Sequence, residues 1–336
     1  MQIVTGHSIA ESGEHALLRP EIRESRSCRA KAHINRGRAS CKSGDYSAAI
    51  ADFSMAIKLD PSNHLAFLER DSALCDMGRD DLSIADYGRA IALDPNDDRA
   101  FFFRAKAYER LGEYELAIED FSGAIRLRPD ISISYIARGN AYCNKGDDYN
   151  GIADYSRAIE MKPSDARAYY NRGLSYNRLG DFNLAIADFT QAIWLTPKDA
   201  RLFFERGNAH AYLGNDRQAI NDYCHAIELA PQFEAAYSNR GCAYCEAGKF
   251  DLGIADFDKA IEINLKNAKT YLFRGHALKE MCENDRAIAN YTKAIVHNPK
   301  YGEAFHNRGL ANQSNGDISS ASADFAKARE LGYYDE

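Results

Sequence analysis

The chain has 336 residues, of which 45% are apolar and 27% charged, with eight cysteines and a formal net charge of −7. That balance fits a globular chain, argues against a general nucleic-acid binder, which would be strongly basic, and leaves too few cysteines for a disulfide scaffold. No run of about 18 apolar residues could form a membrane span, and residues 1–32 have neither the basic start nor the apolar core of a secretory leader, so a cytoplasmic protein is expected.

Residues 1–29 are polar and weakly patterned, and a mostly disordered N-terminal segment is expected there. Within it, 1–25 reads as disordered and Ser27 to Ala30 as the lead into a first helix. Beyond it proline sets a period. Pro61, Pro95, Pro129, Pro163, Pro197 and Pro231 are spaced 34 residues apart, and Pro299 falls 68 further on. With position 1 placed at Ala30, nine repeats run without insertion or deletion: 30–63, 64–97, 98–131, 132–165, 166–199, 200–233, 234–267, 268–301 and 302–335. Such an internal repeat is the signature of a stacked array, and it leaves no length for a separate catalytic domain.

Each repeat reads as two helices. In 166–199, Ala168, Tyr169, Tyr176 and Leu179 form an apolar stripe at helical spacing. Gly180 and Asp181 then supply a C-cap glycine and a helix-starting acid. Phe182, Ala185, Ile186, Phe189, Ala192, Ile193 and Leu195 form the second stripe, and Pro197 ends it because it lacks an N–H. The other repeats follow suit. Position 15 is Gly in eight of nine, Cys282 being the exception; position 20 is always small; position 24 is Phe or Tyr and position 27 Ala in all nine. Small residues that let two helices approach, with one aromatic filling the remainder, predict a close-packed pair. Positions 21 and 28 are Ile in eight repeats but Ser322 and Arg329 in the ninth, as a polar terminal face requires.

Tyr169, Gly173, Tyr176, Ala185, Phe189 and Pro197 carry a resemblance: the chain is similar to tetratricopeptide repeat proteins across all nine repeats. The resemblance implies an all-α, right-handed superhelical solenoid, without cofactor, that serves as a non-catalytic scaffold for a protein or peptide partner. It also implies that the first helices line a concave groove in which positions 2, 5, 9, 12 and 13 meet ligands. On those positions the chain places Arg99, Phe102, Lys106, Arg110, Ile136, Arg167, Tyr170, Arg178, Arg201 and Phe204, an excess of cations over an apolar and aromatic floor. Such a groove suits an extended acidic peptide with hydrophobic anchors; the alternative is a set of solvated helix faces. The carboxylate clamp by which some members hold chaperone C-termini needs Lys at position 5 beside Asn at position 9. Asn140 and Asn208 stand beside Ile136 and Phe204, so that clamp is absent.

The chain departs from the family pattern at position 7, where a leucine is usual and all nine repeats carry Arg, including Arg36, Arg104, Arg138, Arg172, Arg206 and Arg240. Position 23 is Asp in eight, including Asp52, Asp120, Asp154, Asp188, Asp222 and Asp256, with Asn290 the exception. Opposite charges at fixed phase read as a structural ion-pair ladder, within a repeat or between neighbours; a row of arginines facing a ligand is the alternative. No motif promotes catalysis or metal binding: Cys242 and Cys245 form one Cys-x-x-Cys without the second pair that zinc requires. An RNA-processing helical-repeat protein, or a non-catalytic subunit of an enzyme complex, are the other function classes considered, and self-association through first-helix aromatics is compatible with the pattern.

Overall fold

The computed structural model describes residues 20–334. The chain divides into two compact halves, Met1–Lys162 and Pro163–Glu336. The described residues of the first half form α1 (Pro20–Lys42), α2 (Tyr46–Leu59), α3 (His64–Asp76), α4 (Asp80–Leu93), α5 (Asp98–Arg110), α6 (Tyr114–Leu127), α7 (Ser132–Asn144) and α8 (Asp148–Met161). Those of the second form α9 (Ala166–Leu179), α10 (Phe182–Leu195), α11 (Ala200–Tyr212), α12 (Asp216–Leu229), α13 (Glu234–Glu246), α14 (Phe250–Ile263), α15 (Ala268–Glu280), α16 (Asn284–His297), α17 (Gly302–Ser314) and α18 (Ile318–Glu330). No strand occurs among the described residues. Within each half every odd-numbered helix packs on the even-numbered one that follows, and that one packs on the next pair, the arrangement of an α-solenoid. α1 begins at Pro20 rather than near Ser27. Proline at the first helical position is tolerated because its missing N–H would have no partner there. The disorder expected for residues 1–19 lies outside the described residues.

Two kinds of glycine shape each pair. Gly180 ends α9 in the left-handed region at φ 83°, and a Cβ there would meet nothing within 4 Å, so the residue is required by the backbone and not by space. Cys282 takes the same turn at φ 62° with a side chain attached. Gly173, at position 8, is the reverse case: a Cβ would come within 2.8 Å of the Phe189 ring. The ring of position 24 thus lies directly on the backbone of the first helix, and Phe189 is wholly buried.

Position 24 alternates along the chain, Phe53, Tyr87, Phe121, Tyr155, Phe189, Tyr223, Phe257, Tyr291, Phe325. Buried hydroxyls are usually partnered, and Tyr291, whose hydroxyl has no partner, is the exception here. Tyr155 donates to Asn140 Oδ1 at 2.8 Å and Tyr223 to Asn208 Oδ1 at 2.9 Å, which commits both position-9 asparagines to structure. Between repeats the isoleucines of position 28 carry the packing: Ile57 lies against Phe67, and Ile193 against Phe203. Ser322 and Arg329, their polar counterparts at positions 21 and 28 of the ninth repeat, are exposed.

Phe189→Ala removes a fully buried ring from a site that the glycine opposite cannot close. It is expected to lower stability by about 3–5 kcal/mol in denaturant unfolding, with loss of protection centred on α9 and α10. A change below about 1 kcal/mol would show that the ring is not core.

Candidate functional site

The position-7 arginine emerges from the first helix of each pair toward position 23 of the second. Arg172 donates Nε and Nη2 to the two oxygens of Asp188 at 2.7 and 2.8 Å. Arg104 holds Asp120 at 2.6 and 2.8 Å, Arg138 holds Asp154 at 2.8 and 2.7 Å, Arg206 holds Asp222 at 2.9 and 2.7 Å, and Arg240 holds Asp256 at 2.7 Å twice. These fork-to-fork pairs have buried carboxylates, which makes the match of charge and hydrogen bonds obligatory. Arg36 grips Asp52 in the same way, and with His33 holds that carboxyl down to about 2.

The remaining guanidinium nitrogen reaches back to position 25 of the preceding repeat. Arg70 donates Nη1 to Ser54, Arg138 to Ser122, Arg206 to Thr190 and Arg308 to Thr292, at 2.9–3.1 Å. Each of these arginines therefore joins its own helix pair and ties it to the one before. The exception at Asn290 is compensated within this scheme. Arg274 donates Nε to Asn290 at 2.8 Å and finds its anion at position 25, where Asp258 replaces the hydroxyl. Gly88 stands at position 25 opposite Arg104 and offers that guanidinium no oxygen, with a built Cβ 3.6 Å from Nη1.

The ten groove candidates divide between the halves. In the first, Arg99 is locked by both oxygens of Asp97, at 2.9 and 2.7 Å, the residue that also caps α5. Lys106 pairs with Glu109 and Arg110 with Asp80 across to α4. Phe102 is partly buried, edge-on to Phe103 and Phe121 at 5.5 Å. Ile136 is only 4% exposed and belongs to the core, not to a surface a ligand could touch.

In the second half Arg167 and Arg201 repeat the arrangement of Arg99. Arg167 is fork-bound to Asp165 at 2.9 and 2.6 Å, and Arg201 to Asp199 at 3.0 and 2.7 Å. The Arg201 hydrogen bonds hold the Asp199 carboxyl below the ordinary range. The capping aspartate lies at position 34, two residues before the arginine, and so belongs to the preceding repeat. Arg201 also lies over the Tyr170 ring at 5.6 Å. Arg178 donates to Ser175 at 3.0 Å, and Phe204 packs on Tyr223 and Phe233. Lys269, the position-2 residue of the eighth repeat, is different: it is exposed, has no ion-pair partner among the described residues, and rests 5.2 Å over the Phe273 ring. It borders a cavity of about 340 Å³ on α11, α12, α13 and α15, lined also by Asn208, Tyr212, Asp216, Asn239, Cys242 and Glu246. In that cavity Asn208 Oδ1 accepts from Asn239 at 2.8 Å as well as from Tyr223.

Burial pushes the Cys242 thiol up to about 12 and that of Cys245 to about 11, which keeps both as thiols and makes them poor metal ligands or nucleophiles. Among the described residues one group of three could supply metal ligands, His64, Asp94 and Asp97, with His64 Nε2 3.7 and 3.8 Å from the two carboxylates. Its Asp97 is already committed to Arg99.

Helix pairs in register, a charged tie at fixed phase and a cation-bearing first-helix face define an α-solenoid repeat protein. Models described as tetratricopeptide repeat match residues 30–63 and 166–199, and 98–131, 200–233 and 234–267; a model described as TPR repeat matches 72–112 and 139–180. The chain belongs to the tetratricopeptide repeat family, whose members serve generally as scaffolds for protein interaction. No curated protein matches it. Among solved structures it resembles the C-terminal part of a TPR repeat-containing protein from Cytophaga hutchinsonii, with 21% identity and a TM-score of 0.59, covering 70% of this chain and 97% of that one. It also resembles a chain of the APC/C hetero-tetramer Cut9–Hcn1, with 17% identity and a TM-score of 0.56, covering 79% and 52%. PilF of Pseudomonas aeruginosa shares 17% identity at a TM-score of 0.52, covering 60% and 91%. These likenesses concern the fold. No helix among the described residues is long and apolar enough to cross a membrane.

The tie at position 25 predicts a gain. Gly88→Ser places a hydroxyl beside Arg104 Nη1 and replaces a helix-interior glycine, so stability is expected to rise by about 0.5–1.5 kcal/mol in urea unfolding. Gly88→Ala separates the two contributions, because it supplies only the helix propensity. Equal effects of the two substitutions would show that the hydrogen bond is not made.

Proposed function

We propose that the protein is a non-catalytic scaffold that holds an extended, acidic peptide segment with apolar anchors on the first helices of its second half. The observation that supports this most directly is the pair of position-2 cations seated on aromatic rings, Arg201 over Tyr170 and Lys269 over Phe273. A cation on a ring offers a carboxylate partner and an apolar surface side by side, which an acidic residue next to a hydrophobic one can use together. Arg201 is two-thirds exposed, so its pairing with Asp199 leaves donors facing solvent. Lys269 makes no ion pair among the described residues, although Asp216 and Glu246 line the same cavity, and Asn239 stands beside it. The eight cysteines are all free thiols, which suits the reducing cytoplasm.

Synthetic peptides of alternating Glu and Leu are expected to bind with an affinity that falls as salt is raised, and peptides of Lys and Leu to bind at least about tenfold more weakly. Arg201→Glu combined with Lys269→Glu should weaken the acidic peptide at least about tenfold with the helical circular-dichroism signal unchanged. Equal binding of both peptides, or an affinity untouched by the double reversal, would contradict the reading.

A further inference from the structure

Position 11 carries a tyrosine in repeats three, four, five and seven, and each ring lies on the guanidinium of its own repeat. Tyr108 is 6.0 Å from Arg104, Tyr142 6.0 Å from Arg138, Tyr176 5.9 Å from Arg172 and Tyr244 5.9 Å from Arg240. Tyr108 and the position-21 residue Ile118 pack on one buried cluster, and Tyr176 and Ile186 on another. The sixth repeat has His210 at this place. Arg206 there keeps one ring, Phe203 at 5.8 Å, and lacks the second. A cavity of about 720 Å³ opens between α11 and α12, walled by Arg206 and Ile220, the counterparts of residues that flank tyrosine elsewhere, and by His210 in the tyrosine's place. Its polar groups are specific: His210 Nδ1 is buried without a hydrogen-bond partner, and Arg217 is exposed without an ion pair among the described residues.

We propose that this cavity receives a tyrosine side chain presented by a bound polypeptide, the ring taking the face of Arg206 that four other repeats cover with their own tyrosine. The exposed Arg217 guanidinium is the hydrogen-bond partner for its hydroxyl. A simple anion is a poorer fit, because Asp222 stands in the wall and already neutralises Arg206. An aliphatic group would fill volume and offer Arg217 no acceptor, which a phenol supplies. The site lies apart from positions 2, 5, 9, 12 and 13 and does not depend on the peptide groove.

The test uses the full chain with isoleucine methyl groups labelled for NMR, titrated with p-cresol, N-acetyl-tyrosinamide and toluene. Saturable shifts are expected at Ile220 with the first two, with toluene at least about tenfold weaker, and none at Ile186, whose repeat holds its own tyrosine. His210→Tyr should abolish the shifts by filling the cavity from within. His210→Leu should do the same, with a residue that repeats two and eight already carry there as Leu74 and Leu278. Shifts that persist in both variants, that appear equally at Ile186, or that are absent from the wild type would overturn the proposal. Binding of p-cresol with exclusion of N-acetyl-tyrosinamide would overturn it too, since the site would then take a free phenol and not a side chain.

Discussion

The contact between position 8 and position 24 sets the geometry on which the rest depends. In seven repeats a glycine backbone faces an aromatic ring so closely that a Cβ would come within 2.5–2.8 Å of it. Two helices can approach that far only if one of them gives up its side chain. The approach brings position 7 opposite position 23, one residue to the side on each helix, and the arginine fork meets its carboxylate there. The same arginine reaches position 25 of the preceding repeat, so the spacing within one pair also determines the spacing between pairs. The ring is an apolar filler and the arginine a directional tie; the tie persists where position 8 carries a side chain, since Arg104 still holds Asp120 at 2.6 and 2.8 Å beside Ala105.

Two repeats depart from this rule, the third by the methyl group of Ala105 and the second by far more. Asp71 occupies position 8 opposite Tyr87, wholly buried, with neither carboxylate oxygen hydrogen-bonded. Burial, followed by the charge of Asp86, pushes its carboxyl up to about 10. The folded chain therefore keeps a proton that the unfolded chain releases near pH 4. A raised carboxylate works against folding above that point, so this repeat loses stability as pH rises from about 4 toward 10. The Arg36–Asp52 pair acts in the opposite sense: Asp52, held down to about 2, contributes stability above about pH 4 and loses it below.

Much of this was legible in the residues. Proline spacing gives the period, and the apolar stripes give both helices of every repeat, because each pattern is local and recurs nine times. The first helix is longer than its pattern, since Pro20 starts it within a segment that carries no apolar stripe. The charged face was harder to read. Arg99, Arg167 and Arg201 look free when positions are counted within one repeat, yet their aspartates stand two residues earlier, across the repeat boundary, where a capping role hides them. The pattern Asp-x-Arg was the available signal. Ile136 resembles the other position-5 residues in sequence, and only the packing of its neighbours removes it from the surface. The hydroxyls of position 25 and the cavity beside His210 require knowledge of which side chains meet between helices, because position 11 departs from tyrosine in five repeats and so does not mark the place.

Residue-resolved native-state hydrogen exchange on the wild type and on Asp71→Gly addresses the central constraint most directly. If a small residue at position 8 governs how closely each pair closes, the glycine should raise protection in α3 and α4, and raise it more at about pH 8 than at about pH 5, where the aspartate is less unfavourable. Protection that stays the same or falls, at either pH, would contradict the account.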